Sequence, residues 1–113
     1  MDVEETDDAG ILRLHGELDL ASSGELEAEL ERLVGSGARP VIVDLRALEF
    51  MDSTGLSVLI KAHYRAEQSG ARLVLVKGPP QVQRLLELTG VADRVTLADT
   101  PEQAQTGADS SPG

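Results

Sequence analysis

Two short runs of strand-forming apolar residues, each followed by a stretch with helical spacing, constrain the fold of this chain more than any other feature. One run is Val41–Leu45 and the other is Arg72–Val76. Nearly continuous apolar runs of this kind are typical of central strands with both faces covered. Because each is followed by an apolar stripe at helical offsets, the pattern predicts right-handed crossovers and a largely parallel sheet.

The rest of the chain extends this alternation in both directions. Turn residues at 7–10 predict that the first two strands form a hairpin. Ser22 and Glu25 have the spacing of a capping box, which predicts that the first helix begins there. The predicted elements are strands 3–5 and 11–16, a helix from Ser22 to Gly35, strand 41–45, a helix 54–69, strand 72–76, a helix 80–90, strand 94–97 and a helical stub ending near Gln105.

The length of 113 residues predicts one domain, since it lies near the commonest domain size. We expect an α/β fold with a mixed, mostly parallel sheet of about five strands over residues 1–105. Residues 106–113, TGADSSPG, contain small and polar residues with no apolar pattern, so we expect a disordered C-terminal tail there.

Composition excludes several classes of function. The net charge of −10, with most acids in residues 1–35, disfavours nucleic acid and anionic membranes as partners. There is no Cys, which removes disulfides, thiol catalysis and cysteine metal ligands. No stretch approaches the roughly 20 apolar residues of a membrane span, and the acidic N-terminus does not resemble a signal peptide. We therefore expect a cytoplasmic protein without a metal or cofactor.

The segment from Val41 to Leu59 carries the strongest functional signal. A buried strand ends there, and Asp52-Ser53-Thr54-Gly55 opens a helix. A phosphate on Ser53 would lie at the positive end of the helix dipole and would be partly accommodated, while adding roughly −1.5 to −2 charges beside Asp52. The motif therefore predicts a binding surface that phosphorylation can switch. Because Asp, Ser and Thr are favoured N-caps, the tetrapeptide taken alone is better explained as a helix cap and nothing more.

Four segments together give the chain a family resemblance. They follow one another in the order GELD at 16–19, VDL at 43–45, FMDSTGL at 50–56 and LLELTGV at 85–91. In this order and spacing they resemble the STAS domain family, and within it the bacterial anti-sigma factor antagonists, over about residues 3–105.

The resemblance implies a partner-switching regulator that is not an enzyme. Its unphosphorylated form would bind an anti-sigma factor that is also a serine kinase, and would free a sigma factor. Ser53 matches the serine that the kinase phosphorylates, and a PP2C-type phosphatase would restore binding. The positions bordering the partner surface match Asp19, Asp52, Thr54 and Gly55. Ser57 stands where many members carry glycine, which alters the contact face.

Three other interpretations stay open at this stage. The chain could be a constitutive STAS scaffold or a regulatory subunit of a larger signalling or transport assembly, with Ser53 only a helix cap. A small hydrolase using Ser53 or Ser57 with His63 is a distant alternative, because neither His lies in a catalytic motif. The acidic helix face from Glu25 to Glu31 is either a docking face for a basic partner or a solvated exterior.

Overall fold

The computed structural model describes residues 1–36 and 40–106. Strands and helices alternate along nearly the whole of it, as the apolar pattern predicts. The elements are β1 (Asp2–Glu5), β2 (Gly10–Leu18), α1 (Leu20–Gly35), β3 (Pro40–Met51), α2 (Ser53–Gln68), β4 (Arg72–Val76), α3 (Pro80–Leu88), a 3₁₀ turn (Val91–Asp93), β5 (Thr96–Ala98) and α4 (Pro101–Thr106).

The five strands form one sheet in the order β1-β2-β3-β4-β5. β1 and β2 form an antiparallel hairpin, and the other three pairings are parallel. The mixed, mostly parallel sheet expected from the sequence is therefore confirmed. β3 is longer than its apolar run predicts, because it stays paired with β2 until Leu18 lies opposite Met51.

Helices α1, α2 and α3 cover one face of this sheet. The larger of two buried apolar clusters fills the space between them, with fully buried Leu26, Leu59 and Leu86 as their contributions. α4 lies on the other face, where Ala104 packs in a smaller cluster with Ile42 and Val74. Helices therefore lie mainly on one face, as expected, because the second face offers only a short apolar strip to cover.

The start of α1 differs from the prediction. The helix begins at Leu20, and its N-cap is Asp19, whose side chain accepts hydrogen bonds from the backbone N–H groups of Ala21 and Ser22. The capping box consists of Asp19 and Ser22, because the Ser22 hydroxyl accepts the backbone N–H of Asp19 at 3.0 Å. The prediction that Ser22 and Glu25 form the capping box is wrong. Asp19 and Ser22 can both act as an N-cap, and because β2 ends directly before Asp19, the helix starts at the first of them.

Smaller differences occur near the C-terminal end. The last strand is Thr96–Ala98 and not 94–97, because Val91–Asp93 forms a 3₁₀ turn that delays it. Leu88, the last residue of α3, is 74 % exposed. α4 ends at Thr106, and most of the predicted disordered tail, residues 107–113, lies outside the described residues.

No helix in the described part is long and apolar enough to cross a membrane.

Candidate functional site

The parallel pairing of β2 and β3 places two helix starts side by side at one edge of the sheet. Leu18 and Met51 are the last residues of the two strands and lie opposite each other. The backbone N–H of Asp52 donates to the Leu18 carbonyl at 3.0 Å, which extends the pairing by one residue. α1 begins two residues after Leu18, and α2 begins two residues after Met51. We call this region, residues 17–20 and 49–57, the switch edge.

Asp52 is the N-cap of α2. Its carboxylate accepts the backbone N–H groups of Thr54 at 2.9 Å and Gly55 at 3.0 Å. Asp19 has the same position at the start of α1. Two half-buried carboxylates therefore cap neighbouring helices, and both use the dipole and the free amides that a helix N-terminus offers.

Ser53 is the first residue of α2 and is exposed. No hydrogen bond from its hydroxyl is found within the described residues, so this oxygen is accessible to a modifying enzyme. Because Asp52 already accepts the Thr54 and Gly55 amides, a phosphate on Ser53 would meet the helix dipole but not these two free donors. The helix start would therefore stabilise a phosphate less than the sequence indicates, because two of its backbone amides are already hydrogen-bonded to Asp52.

Ser57 lies one turn after Ser53 and is also exposed. Its hydroxyl donates to the Ser53 carbonyl at 3.0 Å, a bond back along the helix of the kind that Ser often makes. Thr54 is half-buried beside it. The two serines therefore differ in one respect: the hydroxyl of Ser57 is already engaged, whereas that of Ser53 is not.

Gly55 brings the first turn of α2 onto the end of β2. A Cβ atom at this position would lie 2.6 Å from the Leu18 Cγ and 3.2 Å from its carbonyl oxygen. Only glycine fits this approach without movement of a residue that is itself buried. Gly55 is buried as well, so its part at the switch edge is to position Ser53 and Asp52.

Two apolar residues of the switch edge were missed by the sequence reasoning. Leu20 is 75 % exposed at the first position of α1, and Phe50 is 50 % exposed near the end of β3. The sequence contained a signal for one of them, since Leu20 lies outside the apolar stripe that begins at Leu26. Phe50 follows a strand-like run, where periodicity alone does not show which side chains stay uncovered.

The acidic face of α1 has a structural partner that neither interpretation of it considered. Glu27 pairs with Lys61 at 2.8 Å, and Glu31 pairs with Arg65, so α1 and α2 are joined by two ion pairs. The hydrogen bond and charge of Lys61 hold the pKa of Glu27 below its usual value. A groove of about 270 Å³ lies between these pairs, away from Ser53. Two of the acidic side chains of α1 are therefore paired with basic residues of the same domain.

The residues of the hydrolase alternative are not brought together. His63 lies ten residues after Ser53 on the same helix, which separates them by about 15 Å along its axis. Its Nε2 atom contacts Glu67 at 3.1 Å, and its Nδ1 is buried without a partner in the described structure. The side chain of His63 is mostly buried, which fits a packing residue of α2 better than a catalytic base. Within the described residues, no group of His, Asp and Glu could hold a metal ion.

Comparison with known proteins identifies the family. The model of the STAS domain matches residues 1–104. The anti-sigma-B factor antagonist of Staphylococcus aureus (strain NCTC 8325 / PS 47) is 32 % identical over 91 residues, which are 80 % of this chain and 84 % of that protein. The anti-sigma F factor antagonist of Paenibacillus polymyxa is 29 % identical over 97 residues, 85 % and 83 % of the two chains.

A solved structure shares the fold over almost the full length. The anti-sigma factor antagonist SpoIIAA in its unphosphorylated form has a TM-score of 0.79 and 26 % identity, and the match covers 95 % of this chain and 94 % of that one. With its match to the family model and this shared architecture, the chain belongs to the STAS domain family.

Proposed function

We propose that this chain is an anti-sigma factor antagonist whose binding is switched at Ser53. In its unphosphorylated form it binds an anti-sigma factor that is also a serine kinase, and a sigma factor is released. Phosphorylation of Ser53 blocks that contact, and a PP2C-type phosphatase reverses the block. The observation that carries the proposal is the exposed, unengaged hydroxyl of Ser53 at the start of α2, next to the N-cap Asp52.

The relatives support the binding function. The proteins of Staphylococcus aureus and Paenibacillus polymyxa are named as antagonists of anti-sigma factors. SpoIIAA, named as a Bacillus cell fate determinant, has been solved in a phosphorylated form too, and that structure has a TM-score of 0.72 and 25 % identity to this chain. The fold of this chain is therefore similar to that of a protein that exists in both states.

The chemistry of the switch follows from the geometry at Ser53. The kinase would supply the nucleoside triphosphate and Mg²⁺, and the Ser53 Oγ would attack the terminal phosphorus in line with the departing nucleoside diphosphate. The Oγ–P bond forms as the bond to the diphosphate oxygen breaks, and a base of the kinase takes the hydroxyl proton. The chain itself contributes no catalytic group to this reaction, only a positioned acceptor.

Charge then explains why the product would leave. After transfer, the phosphoserine faces the diphosphate that remains on the kinase, so like charges lie in contact. Asp52 is adjacent and its carboxylate holds the nearest amides, which leaves the new charge poorly compensated within the chain.

The contact with the kinase is bordered in this proposal by Asp19, Asp52, Thr54, Gly55 and Ser57. Because the proposed partners act in the cytoplasm, the chain is placed there as well. The folded unit in this proposal is residues 1–105, which leaves out only Thr106, the last residue of α4.

The first test is intact-protein mass spectrometry. The chain is incubated with ATP, Mg²⁺ and each anti-sigma factor kinase encoded in the same genome, and the Ser53→Ala and Ser57→Ala variants are treated in parallel. We expect one added phosphate in the native chain and in Ser57→Ala, and none in Ser53→Ala. Ser57→Ala is the matched control, because it removes an exposed hydroxyl one turn away on the same helix.

The second test is binding. Native chain and Ser53→Asp are compared by isothermal titration calorimetry against the kinase that passes the first test, with far-UV circular dichroism to check the fold. Binding by the native chain and none by Ser53→Asp is the expected result. Equal binding of both proteins, or phosphate at a residue other than Ser53, would contradict the switch and favour a constitutive scaffold.

A further inference from the structure

The switch edge contains two exposed apolar side chains, Leu20 and Phe50, and the proposed switch does not by itself explain them. Leu20 and Ser53 are the first residues of α1 and α2, which start at the same edge of the sheet and pack against each other. Both residues belong to the switch edge, where Leu18 and Met51, which end β2 and β3, lie opposite each other. Phe50 precedes Ser53 by three residues, opposite Glu17 in the register of β2 and β3.

Their exposure is unusual within this chain. Only five large apolar side chains in the described part are strongly exposed, and two of them lie at the switch edge. Leucine is a good helix former, so helix propensity does not count against Leu20 at this position. Because its side chain is mostly exposed, it also adds little to the packing of the domain. Apolar and aromatic side chains are enriched in the core of protein interfaces, so large exposed apolar groups within a proposed binding region are candidates for contact with the partner.

The surroundings indicate the chemistry of the partner surface. Glu17 and Glu49 are exposed in the same two segments, and Asp19 and Asp52 are half-buried at the two helix starts. An apolar centre with an acidic rim is complementary to an apolar pocket bordered by basic residues, and such charges act mainly on the rate and orientation of association. Phosphorylation does not reinforce this attraction, because Ser53 itself faces the nucleotide in the kinase.

We propose that Leu20 and Phe50 are the apolar anchors through which the switch edge binds its anti-sigma factor, in apolar pockets with a basic rim. This inference rests on the proposed function and adds which side chains supply affinity. Ser53 and the carboxylates decide whether the complex is permitted. Leu20 and Phe50 decide how tightly it forms, since truncation of buried interface anchors typically accounts for most of a binding energy.

The test uses Leu20→Ala and Phe50→Ala with Leu88→Ala as the matched control. Leu88 is as exposed as Leu20, but it lies at the far end of α3, which runs away from the switch edge. Binding of each unphosphorylated variant to the kinase identified by mass spectrometry, with ADP and Mg²⁺ present, is measured by calorimetry. We expect a Kd raised about tenfold or more by each anchor variant and a Kd within about twofold of native for Leu88→Ala.

Kinetics give a second readout that a folding defect would not reproduce. Because the anchors do not touch the transferred phosphoryl group, KM for phosphorylation of Ser53 should rise in the two anchor variants while kcat stays the same. Urea denaturation of each variant serves as the check on stability.

The possible outcomes separate this inference from the proposed function. If both anchor variants bind like the native chain while Ser53→Asp does not bind, the anchors are wrong and the switch stands. A loss in Leu88→Ala equal to that in Leu20→Ala would also overturn the anchors, because exposure and not position would then decide. If no kinase phosphorylates the native chain, the proposed function fails and the anchors fail with it.

Discussion

Replacing Gly55 with Ala tests the close approach that positions the switch edge. The added Cβ would lie 2.6 Å and 2.8 Å from the Leu18 Cγ and Cδ2 atoms, and 3.2 Å from the Leu18 carbonyl oxygen. The Leu18 side chain is buried and cannot swing into solvent, so either it or the first turn of α2 must shift. Overpacking of this kind costs about 1–3 kcal/mol.

Helix propensity opposes this cost and has to be separated from it. Ala is about 1 kcal/mol more favourable than Gly inside a helix, so the net loss for Gly55→Ala is about 0–2 kcal/mol. Gly24→Ala provides the matched control, because Gly24 is exposed in α1 and a Cβ there would meet nothing within 4 Å. We expect Gly24→Ala to stabilise the domain by about 0.5–1 kcal/mol.

The measurement is the difference in free energy of unfolding between the two variants, from urea denaturation at pH 7. The clash predicts that Gly55→Ala is about 1–3 kcal/mol less stable than Gly24→Ala. The N-cap contributes equally in native and variant chains, since alanine keeps the backbone N–H that donates to Asp52. Equal stability of the two variants would refute the argument that the Leu18 contact requires glycine.

Other parts of the structure lead to further predictions. Asp19→Ala and Asp52→Ala should each lower the free energy of unfolding by about 1 kcal/mol through loss of an N-cap, and Asp7→Ala, an exposed turn residue, should stay within about 0.5 kcal/mol in the same urea assay. Burial raises the pKa of Asp44, but the hydrogen bonds and charge of Arg46 outweigh it and hold the pKa below its usual value. A depressed folded pKa contributes stability above the unfolded pKa of about 4, and that stability is lost as the pH falls through the folded pKa. Asp44→Asn should therefore be less stable at pH 7 and lose less stability in acid, and parallel pH profiles of the two proteins would contradict this. Glu27→Gln should leave the urea midpoint nearly unchanged, because its pair with Lys61 is exposed and screened.

The sequence predicted the order and type of the elements well, for a physical reason. Apolar periodicity reports locally which side chains a strand or helix buries, so Val41–Leu45 and the stripe from Leu56 to Ile60 identify their elements without tertiary information. Helix starts are less certain, because several polar residues satisfy the same spacing rule. Ser22 and Glu25 fit a capping box, yet Asp19 is the cap, since the end of β2 decides where α1 can begin.

The residues of the candidate site were also only partly predictable from the sequence. Ser53 was identified from the sequence because a buried strand followed by Asp-Ser-Thr-Gly defines a helix start, and the family resemblance assigns that serine a role. Leu20 and Phe50 were not identified, because exposure of an apolar residue depends on what other elements cover it. The pairing of Glu27 and Glu31 with α2 was missed as well, since it depends on how two helices pack that bring together residues 34 positions apart in the chain.

The sequence by itself determined an α/β domain of the STAS family, an aliphatic core and a serine at the start of the second helix. These properties depend on residue type, local period and motif, all of which are properties of neighbouring residues. Only the tertiary structure decided that Asp19 and Asp52 cap adjacent helices and that Gly55 contacts Leu18. These facts depend on the parallel register that places Leu18 opposite Met51, a long-range pairing that local patterns do not contain.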